Sequence, residues 1–159
     1  GILSGKIVET EAYFGSKDPA SHAYGKMTGR NYLMFDQPGR AYVYLCYGNH
    51  WLSNIVAKED GCPGAVLIRA LEPLKGIEIM KKKRNIQEIV SLTNGPGKLT
   101  QALGIGKEHN GMDLTKNEVF IEDSNEKVDM TKSKRIGITK GTDRLLRFYV
   151  KGSDFVSRI

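Results

Sequence analysis

Two runs of strand-forming residues around a tight-turn signal constrain this fold more than any other feature of the sequence. Residues 41–47 read AYVYLCY and residues 50–57 read HWLSNIVA, and both runs are rich in aromatic and β-branched side chains. Gly48 and Asn49 stand between them, and a two-residue loop with glycine first is typical of a type II′ turn. The sequence therefore predicts a long antiparallel β-hairpin.

The rest of the chain alternates further strand patterns with two helical ones. Apolar residues repeat at helical spacing in two segments, and a loop rich in Gly, Ser, Asp and Lys follows the first strand. We predict an α+β fold, a single domain with a curved antiparallel sheet, flanking helices and a protruding β-hairpin. The predicted strands beyond the hairpin are 6–13, 65–73, 117–123, 134–139 and 146–150, the helices are 75–85 and 96–103, the long loop is 15–31, and a turn is expected at 60–64.

Length and charge narrow the classes of protein. The chain has 159 residues, enough for one domain with a real core, and its formal net charge is +6. A basic balance favours an anionic partner, although many soluble proteins share it. Cys46 and Cys62 form no metal-ligand or redox motif, so we expect free thiols in a reducing compartment. No apolar run approaches the roughly 20 residues of a membrane span, and no leader peptide is visible.

The first strand carries a pair of carboxylates that could do chemistry. Glu9 and Glu11 are two positions apart, so on a strand they share a face. Such a pair is usually solvated, but its neighbours here are Ile, Val, Thr, Ala and Tyr, which indicate a mostly buried strand. A buried carboxylate at a strand end is a candidate general base. The pattern does not decide between the two glutamates.

Several other residues admit both a structural and a functional interpretation. Tyr13, His22 and Tyr44 are either hydrogen-bonded core residues or the walls of a slot for a planar ligand. Arg69 interrupts an apolar strand, so it is expected to form an ion pair with Glu9 or Glu72, or to orient Glu11 or bind a phosphate. The segment GPGKLTQ, which contains Lys98, either begins a helix through proline or binds an anion at the helix start.

The predicted hairpin tip is unusual because a turn normally carries small polar residues. Here Tyr47 and His50 flank the turn. An exposed tyrosine at this place either packs on a neighbouring loop or inserts into a partner, and a basic protein could wedge it between the base steps of a duplex. Lysine and arginine clusters at 81–84 and 132–135 are either solvated faces or contacts to such a partner.

The motifs IVETEAY, MTGRNYLMF, PGRAYVYLCYGNHWLSNI, VLIRALEP, NGPGKLTQALGI and LRFYVKGS occur in this order. Together they resemble the alkyladenine (3-methyladenine) DNA glycosylase family over nearly the whole chain. The resemblance implies an enzyme of base-excision repair. It would flip a damaged purine, such as 3-methyladenine, 7-methylguanine, hypoxanthine or ethenoadenine, out of duplex DNA and hydrolyse its N-glycosidic bond.

Carried over position by position, the resemblance implies a role for each candidate residue. VETEAY makes Glu11 the base that activates water, and Arg69 lies close to the water and this glutamate. Tyr47 becomes the wedge that fills the gap left in the duplex. The base pocket is formed by Tyr13, His22, Tyr44 and Asn54, and the DNA contacts are Thr28, Arg30, Asn49, His50 and Lys98.

The resemblance also implies that residues 1–159 form one glycosylase catalytic domain. Family members usually carry a further N-terminal helix and strand without a counterpart here, and His50 replaces a larger aromatic residue of the mammalian relative. An alkylated purine already carries positive charge, so one base suffices where sugar hydrolases typically use two carboxylates. No lysine lies in the strand motif to form a Schiff base, so we expect a monofunctional enzyme without strand cleavage.

We expect no cofactor and no metal site, because the three histidines are scattered. The expected partner is damaged double-stranded DNA, bound by a monomer that does not contact membranes. The expected location is inside the cell, in the cytoplasm or nucleoid if the source is bacterial and in the nucleus if it is eukaryotic. Two alternatives stay open: a non-catalytic duplex-binding protein of the same fold, and a hydrolase of another glycoside.

Overall fold

The computed structural model describes residues 1–58 and 62–158, and its centre is a six-stranded sheet. The strands and α-helices along the chain are β1 (Ser4–Tyr13), β2 (Ala41–Cys46), β3 (His50–Val56), β4 (Ala65–Lys75), α1 (Ile77–Arg84), α2 (Pro96–Leu103), β5 (Met130–Ser133) and β6 (Arg147–Val150). Every neighbouring pair of strands is antiparallel, in the order β2-β3-β4-β1-β6-β5. This architecture confirms the predicted α+β fold.

The pairing of β1 with β4 contains two irregularities that matter for the site. Ile7 lies opposite Leu71, but Glu9 lies opposite Ala70, so β1 carries one extra residue there. Thr10 then lies opposite Ile68, which leaves Arg69 as the extra residue of β4. A bulge bends the strand and redirects side chains. The polar side chains of both strands are therefore re-aimed at one place in the middle of the sheet.

Both helices pack through their apolar residues. Leu99 of α2 packs with Ile68 and Leu71 of β4, and Ala102 joins Met80 of α1 in a separate core cluster. Helix α2 spans the predicted residues, whereas α1 begins at Ile77 because Gly76 adopts a left-handed conformation with φ 76°. No helix in the described ranges is both long and apolar enough to span a bilayer.

Two predictions about the strands are wrong. Residues 117–123 do not form a strand: Phe120 and Ile121 are exposed instead of packed in a core, and within the described ranges no neighbouring strand pairs with this segment. Residues 134–139 do not form one either, because Gly137 has a φ of 74°, which interrupts an extended backbone. Instead the short, polar strand β5 pairs with β6 at the edge of the sheet. An edge strand needs no alternation of apolar residues, so the sequence does not predict it.

The hairpin forms as predicted, but its turn lies one residue earlier. The amide of Asn49 donates to the carbonyl of Cys46 at 3.2 Å, so Tyr47 and Gly48 are the central residues of the turn. Both have positive φ, 50° and 73°, as in a type I′ turn, and not the predicted type II′. The turn expected at 60–64 falls partly on residues outside the described ranges.

Candidate active site

A cavity of about 830 Å³ opens on the sheet beside the hairpin. Its walls come from β1 to β4, the start of α2, the loop after β1, and the segment 136–140 that precedes β6. Ligand pockets of this size commonly enclose a small molecule in a mostly apolar lining with a few polar groups. Nine of the predicted site residues line it: Tyr13, His22, Arg30, Tyr44, Tyr47, His50, Asn54, Arg69 and Lys98.

Glu11 lies beneath this cavity and is completely buried. Its Oε2 accepts a hydrogen bond from the hydroxyl of Tyr13 at 2.7 Å, and its Oε1 accepts one from the backbone N–H of Ile136, also at 2.7 Å. The Nη1 of Arg69 is 3.5 Å from Oε1. These three donors line the cavity, so the carboxylate is fixed directly behind its wall.

Glu9 is equally buried but is fully engaged in structural contacts. Its Oε1 accepts from the Nε of Arg69 at 3.0 Å, the Nε of Arg147 at 2.7 Å and the hydroxyl of Ser157 at 2.8 Å. Its Oε2 accepts from the backbone N–H of Ser157 at 2.5 Å. Burial disfavours the charged form, but the hydrogen bonds from Ser157 and Arg147 outweigh it and hold the pKa of Glu9 below its usual range.

Arg69 therefore bridges the two glutamates. Its Nε binds Glu9, its Nη1 approaches Glu11, and its Nη2 donates to the hydroxyl of Ser157 at 3.3 Å. Of the partners considered from the sequence, the structure selects Glu9 and Glu11. The extra residue in β4 makes this geometry possible because it turns the guanidinium toward both carboxylates.

Aromatic rings form one side of the cavity. The His22 ring lies edge-on to Tyr44, with ring centroids 4.6 Å apart, and shares a hydrogen bond of 2.9 Å with the hydroxyl of Tyr42. Partial burial of the imidazole, together with the charge of Arg30, lowers the pKa of His22. Burial raises the pKa of Tyr44, and burial with the neighbouring Glu11 raises that of Tyr13, so both phenols stay protonated at neutral pH.

Asn54 supplies a polar group to this wall. It is buried on β3, and its side-chain nitrogen donates to the carbonyl of Tyr42 at 3.1 Å. That hydrogen bond fixes the plane of the amide relative to the aromatic residues. The cavity thus presents rings and one oriented amide to whatever enters it.

The hairpin tip extends into solvent. Tyr47 is 91% exposed, which contradicts packing of its ring on a neighbouring loop. Its positive φ is an uncommon backbone state for a residue with a Cβ and costs about 1–2 kcal/mol. The strand next to the tip is well supported, since the hydroxyl of Thr100 in α2 donates to the carbonyl of Trp51 at 2.7 Å. A strained, exposed aromatic group is therefore held on a rigid support.

The predicted DNA contacts divide into two groups. Arg30, His50 and Lys98 line the cavity, with the Arg30 guanidinium 5.5 Å from the ring centre of Tyr44. Thr28 and Asn49 do not line it. Thr28 belongs to a smaller neighbouring pocket, and Asn49 closes the hairpin turn.

Sequence reasoning missed two parts of the site. Tyr42 stands two residues before Tyr44 on the same strand, so its place on the same face could have been read from the alternation. Residues 136–140 line the cavity as a loop, although the sequence pattern predicts a strand there.

In each of the two predicted basic clusters, the arginine makes contacts within the protein. Arg84 donates to the carbonyls of Ser91 and Leu92, and Arg135 pairs with Asp18.

An aromatic cavity above a buried carboxylate suits an enzyme that binds a planar group and activates water beside it. In the described ranges, no group of three or more His, Cys, Asp and Glu side chains could hold a metal ion. The family model of methylpurine-DNA glycosylase matches residues 1–154.

Three similar bacterial proteins are each provisionally named 3-methyladenine DNA glycosylase. The protein of Chlorobium phaeobacteroides strain BS1 is 53% identical over 96% of this chain and 78% of its own length. That of Rhodopseudomonas palustris is 49% identical over 98% and 77%, and that of Chlorobaculum tepidum is 45% identical over 99% and 76%. The chain belongs to the methylpurine-DNA glycosylase family, which confirms the resemblance. It is a DNA glycosylase, an enzyme of base-excision repair.

Proposed function

We propose that this glycosylase flips alkylated or deaminated purines out of duplex DNA and hydrolyses their N-glycosidic bond with a water activated by Glu11. The substrates in this proposal include 3-methyladenine, 7-methylguanine, hypoxanthine and ethenoadenine. The observation that carries it is the buried Glu11 carboxylate, which the Tyr13 hydroxyl and the Ile136 amide hold behind an aromatic cavity.

The cavity walls fit a flipped base. A base cannot be attacked inside the stack, so it must be extruded, and aromatic faces recover part of the lost stacking. Tyr13, His22 and Tyr44 supply these faces in the proposal. An alkylated purine is cationic, and a cation over an electron-rich ring gains further attraction. Asn54 supplies the oriented amide that would disfavour undamaged guanine through its exocyclic amine; 7-methylguanine carries the same amine, but its positive charge weakens the glycosidic bond.

The hydrolysis needs one carboxylate. Water attacks the sugar C1′, the electron pair of the glycosidic bond leaves with the base, and Glu11 accepts the proton from the water. A cationic 3-methylpurine leaves as a neutral base without a general acid, whereas a neutral lesion such as hypoxanthine also needs a proton or a hydrogen bond at a ring nitrogen. Arg69, with its Nη1 3.5 Å from Oε1, places a positive charge beside this carboxylate. Glu9 is unsuited to the role because it already accepts four hydrogen bonds.

The same proposal assigns Tyr47 to the gap left in the duplex. Its exposure and its left-handed backbone hold the ring away from the protein, where it can enter a base stack. Arg30, His50 and Lys98, on the cavity wall, and Thr28 and Asn49, beside it, are proposed contacts to the DNA. One chain supplies the whole cavity, so we propose a monomer that acts as one catalytic domain in the compartment that holds the DNA.

We also propose a monofunctional enzyme. The positively charged side chain that approaches Glu11 is an arginine, which cannot form a Schiff base. Borohydride trapping on lesion-containing duplex should therefore give no covalent adduct. An adduct would contradict monofunctional excision and would implicate Lys98 or Lys140, two lysines of the cavity lining.

A base-release assay tests the central proposal. Duplexes that each carry one lesion are mixed with excess enzyme, and the released base is quantified. Glu11→Gln should lower the single-turnover rate by about a hundredfold or more and leave duplex binding intact. Glu9→Gln, on the same strand, is the matched control and should lose much less activity at temperatures where it is folded.

Three outcomes would overturn the proposal. Normal activity of Glu11→Gln together with an inactive, folded Glu9→Gln would show that Glu9, and not Glu11, is the catalytic base. Release from free nucleoside as fast as from duplex would indicate a hydrolase of another glycoside. Tight duplex binding with no release from any lesion would indicate a non-catalytic binding protein.

A further inference from the structure

A second buried ion pair lies beside the ring of Tyr13. Asp18 and Arg135 form a bidentate contact, with Nη1 to Oδ2 at 2.5 Å and Nη2 to Oδ1 at 2.8 Å, and both side chains are fully buried. Asp18 also accepts from the backbone N–H groups of Phe14 and Ala20. Paired geometry of this kind fixes both direction and distance. The loop after β1 is thereby tied to a residue more than a hundred positions away.

Arg135 distributes this restraint to several backbone groups. It donates to the carbonyl of Ala12 at 2.9 Å and to that of Gly141 at 3.3 Å. Gly141 has a φ of 60°, and a Cβ there would lie 3.3 Å from both the Asp18 carboxylate and the Arg135 guanidinium. The absence of a side chain at 141 therefore gives the ion pair its space. Residues 134–141 belong to no strand, so these contacts replace the ladder that would otherwise hold them.

The restrained segment carries a donor to Glu11. Ile136 follows Arg135 directly, and its N–H donates to Oε1 of Glu11 at 2.7 Å. The second donor to this carboxylate, the Tyr13 hydroxyl, belongs to a ring that lies under the Arg135 guanidinium, 4.6 Å from its centre. The hydrogen bond from Ile136 therefore depends on the position of Arg135, and the Tyr13 ring packs against the same guanidinium. Its Nε is a buried nitrogen without a hydrogen-bond partner among the described residues, so Asp18 is the counter-charge that holds it.

We propose that Asp18 is a positioning residue of the glycosylase: through Arg135 it fixes the segment 135–141, and thereby the orientation of the Glu11 carboxylate. This inference rests on the proposed role of Glu11. Asp18 does not line the cavity, so it contributes no direct contact to a flipped base. We expect Asp18 to affect the excision rate only through the alignment of the Glu11 carboxylate, which is the proposed catalytic base.

The first measurement needs neither DNA nor activity. In ¹H–¹⁵N spectra of the whole chain, an amide that donates to a carboxylate is shifted downfield, and Glu11→Gln should move the Ile136 resonance and so identify it. Asp18→Asn should move the same resonance toward its random-coil position. Met80→Ala, which opens a space in a core cluster of α1 and α2, is the matched destabilised control and should leave it in place.

The second measurement separates alignment from binding. Asp18→Asn should lower the single-turnover excision rate about tenfold to a hundredfold, as expected for a displaced catalytic group. In the Glu11→Gln background it should leave the Kd for lesion-containing duplex unchanged. Met80→Ala should keep the wild-type excision rate at temperatures well below its Tm. If Asp18→Asn does not fold, Arg135→Lys keeps the buried charge, removes the bidentate contact and is measured in its place.

The outcomes are distinct. An unmoved Ile136 resonance and a normal excision rate in a folded Asp18→Asn or Arg135→Lys variant would overturn the inference and leave the pair a purely structural one. A wild-type protein that releases no base would contradict the proposed function. The Ile136 resonance would still decide whether Asp18 orients the carboxylate.

Discussion

The hydroxyl of Tyr13 donates to Oε2 of Glu11 at 2.7 Å, although the two residues are only two positions apart on β1. Residues at this spacing share a face of the sheet, so one strand supplies both the carboxylate and a donor that holds it. No bulge between the two residues is needed for their side chains to meet. The candidate base and one of its supports are thus part of the same rigid element.

Tyr13→Phe removes this donor and keeps the ring. A hydrogen bond to a charged group contributes about 1.5–3 kcal/mol, so the single-turnover excision rate should fall about tenfold to a hundredfold. Tyr42→Phe removes a hydroxyl from the same cavity without touching Glu11 and should have a much smaller effect. Equal rates for the two variants would contradict a specific role of Tyr13.

The hydrogen bond should also persist at alkaline pH. Burial and the nearby Glu11 raise the pKa of Tyr13 above its ordinary value of 10.0. Its proton is therefore retained up to and beyond pH 10, and the excision rate of the wild type should show no decline below that pH caused by loss of this donor. Comparing the pH profile of Tyr13→Phe with that of the wild type checks this, since the ratio of the two rates should stay constant from pH 7 to 10.

Tyr47→Ala should separate stability from base flipping. The ring is exposed and its backbone strained, so the substitution should leave the Tm within a degree or two of the wild type. Excision from a stably paired lesion should slow, whereas a mispaired lesion, which is already poorly stacked, should be affected less. Thermal unfolding and stopped-flow fluorescence of a lesion analogue measure the two effects. A lower Tm with unchanged flipping would refute the wedge.

Binding to duplex DNA should weaken steeply with salt, because phosphate contacts release counterions. Lys98 lies at the cavity, so Lys98→Ala should reduce the slope of log K against log salt by about 0.9, because one phosphate is no longer neutralised. Lys151 is exposed and lies near Asp129 at the β5–β6 edge, and its replacement by alanine should leave the slope unchanged. A flat salt dependence of the wild type would count against DNA phosphates as ligands.

Acid should destabilise the protein through two buried carboxylates. The pKa values of Glu9 and Asp18 are lowered from 4.5 and 3.8, because hydrogen bonds and arginines outweigh their burial. Their contribution to the free energy of unfolding is complete above about pH 4.5 and is lost as the pH falls through the lowered values. Urea titrations between pH 3 and 6 should show this decline. Asp18→Asn should flatten it, and Asp143→Asn, at an exposed site, should not.

The sequence alone predicts features that depend on neighbouring residues, but not those that depend on contacts between distant parts of the chain. The hairpin, the boundaries of α2 and the pairing of Glu9 and Glu11 on one face follow from local periodicity. The choice between the two glutamates does not, because Glu9 is occupied by Arg147 and Ser157, which lie about 140 residues further on. The bulge that turns Arg69 toward both carboxylates has no local signature.

In the segment 134–139, a contact across the chain makes a local prediction wrong. Its apolar residues alternate like a strand, yet Arg135 is drawn to Asp18, and Gly137 breaks the extended backbone. A long-range ion pair outweighs a weak local preference, and the result is a cavity wall where a strand was expected. Asp18 itself gives no signal, since an aspartate in a polar loop normally faces water.

The order of the strands has a consequence for how the protein is made. The first strand, β1, lies between β4 and β6 in the sheet, so both of its neighbours are synthesised after it. Glu9 meets Arg147 and Ser157, and Glu11 meets Ile136, only when these late residues have been synthesised. A nascent or truncated chain that ends before β6 would leave Glu9 without Arg147 and Ser157. The proposed catalytic centre is therefore assembled only after β6 has been synthesised, and a product that stops short of β6 lacks the contacts that hold Glu9.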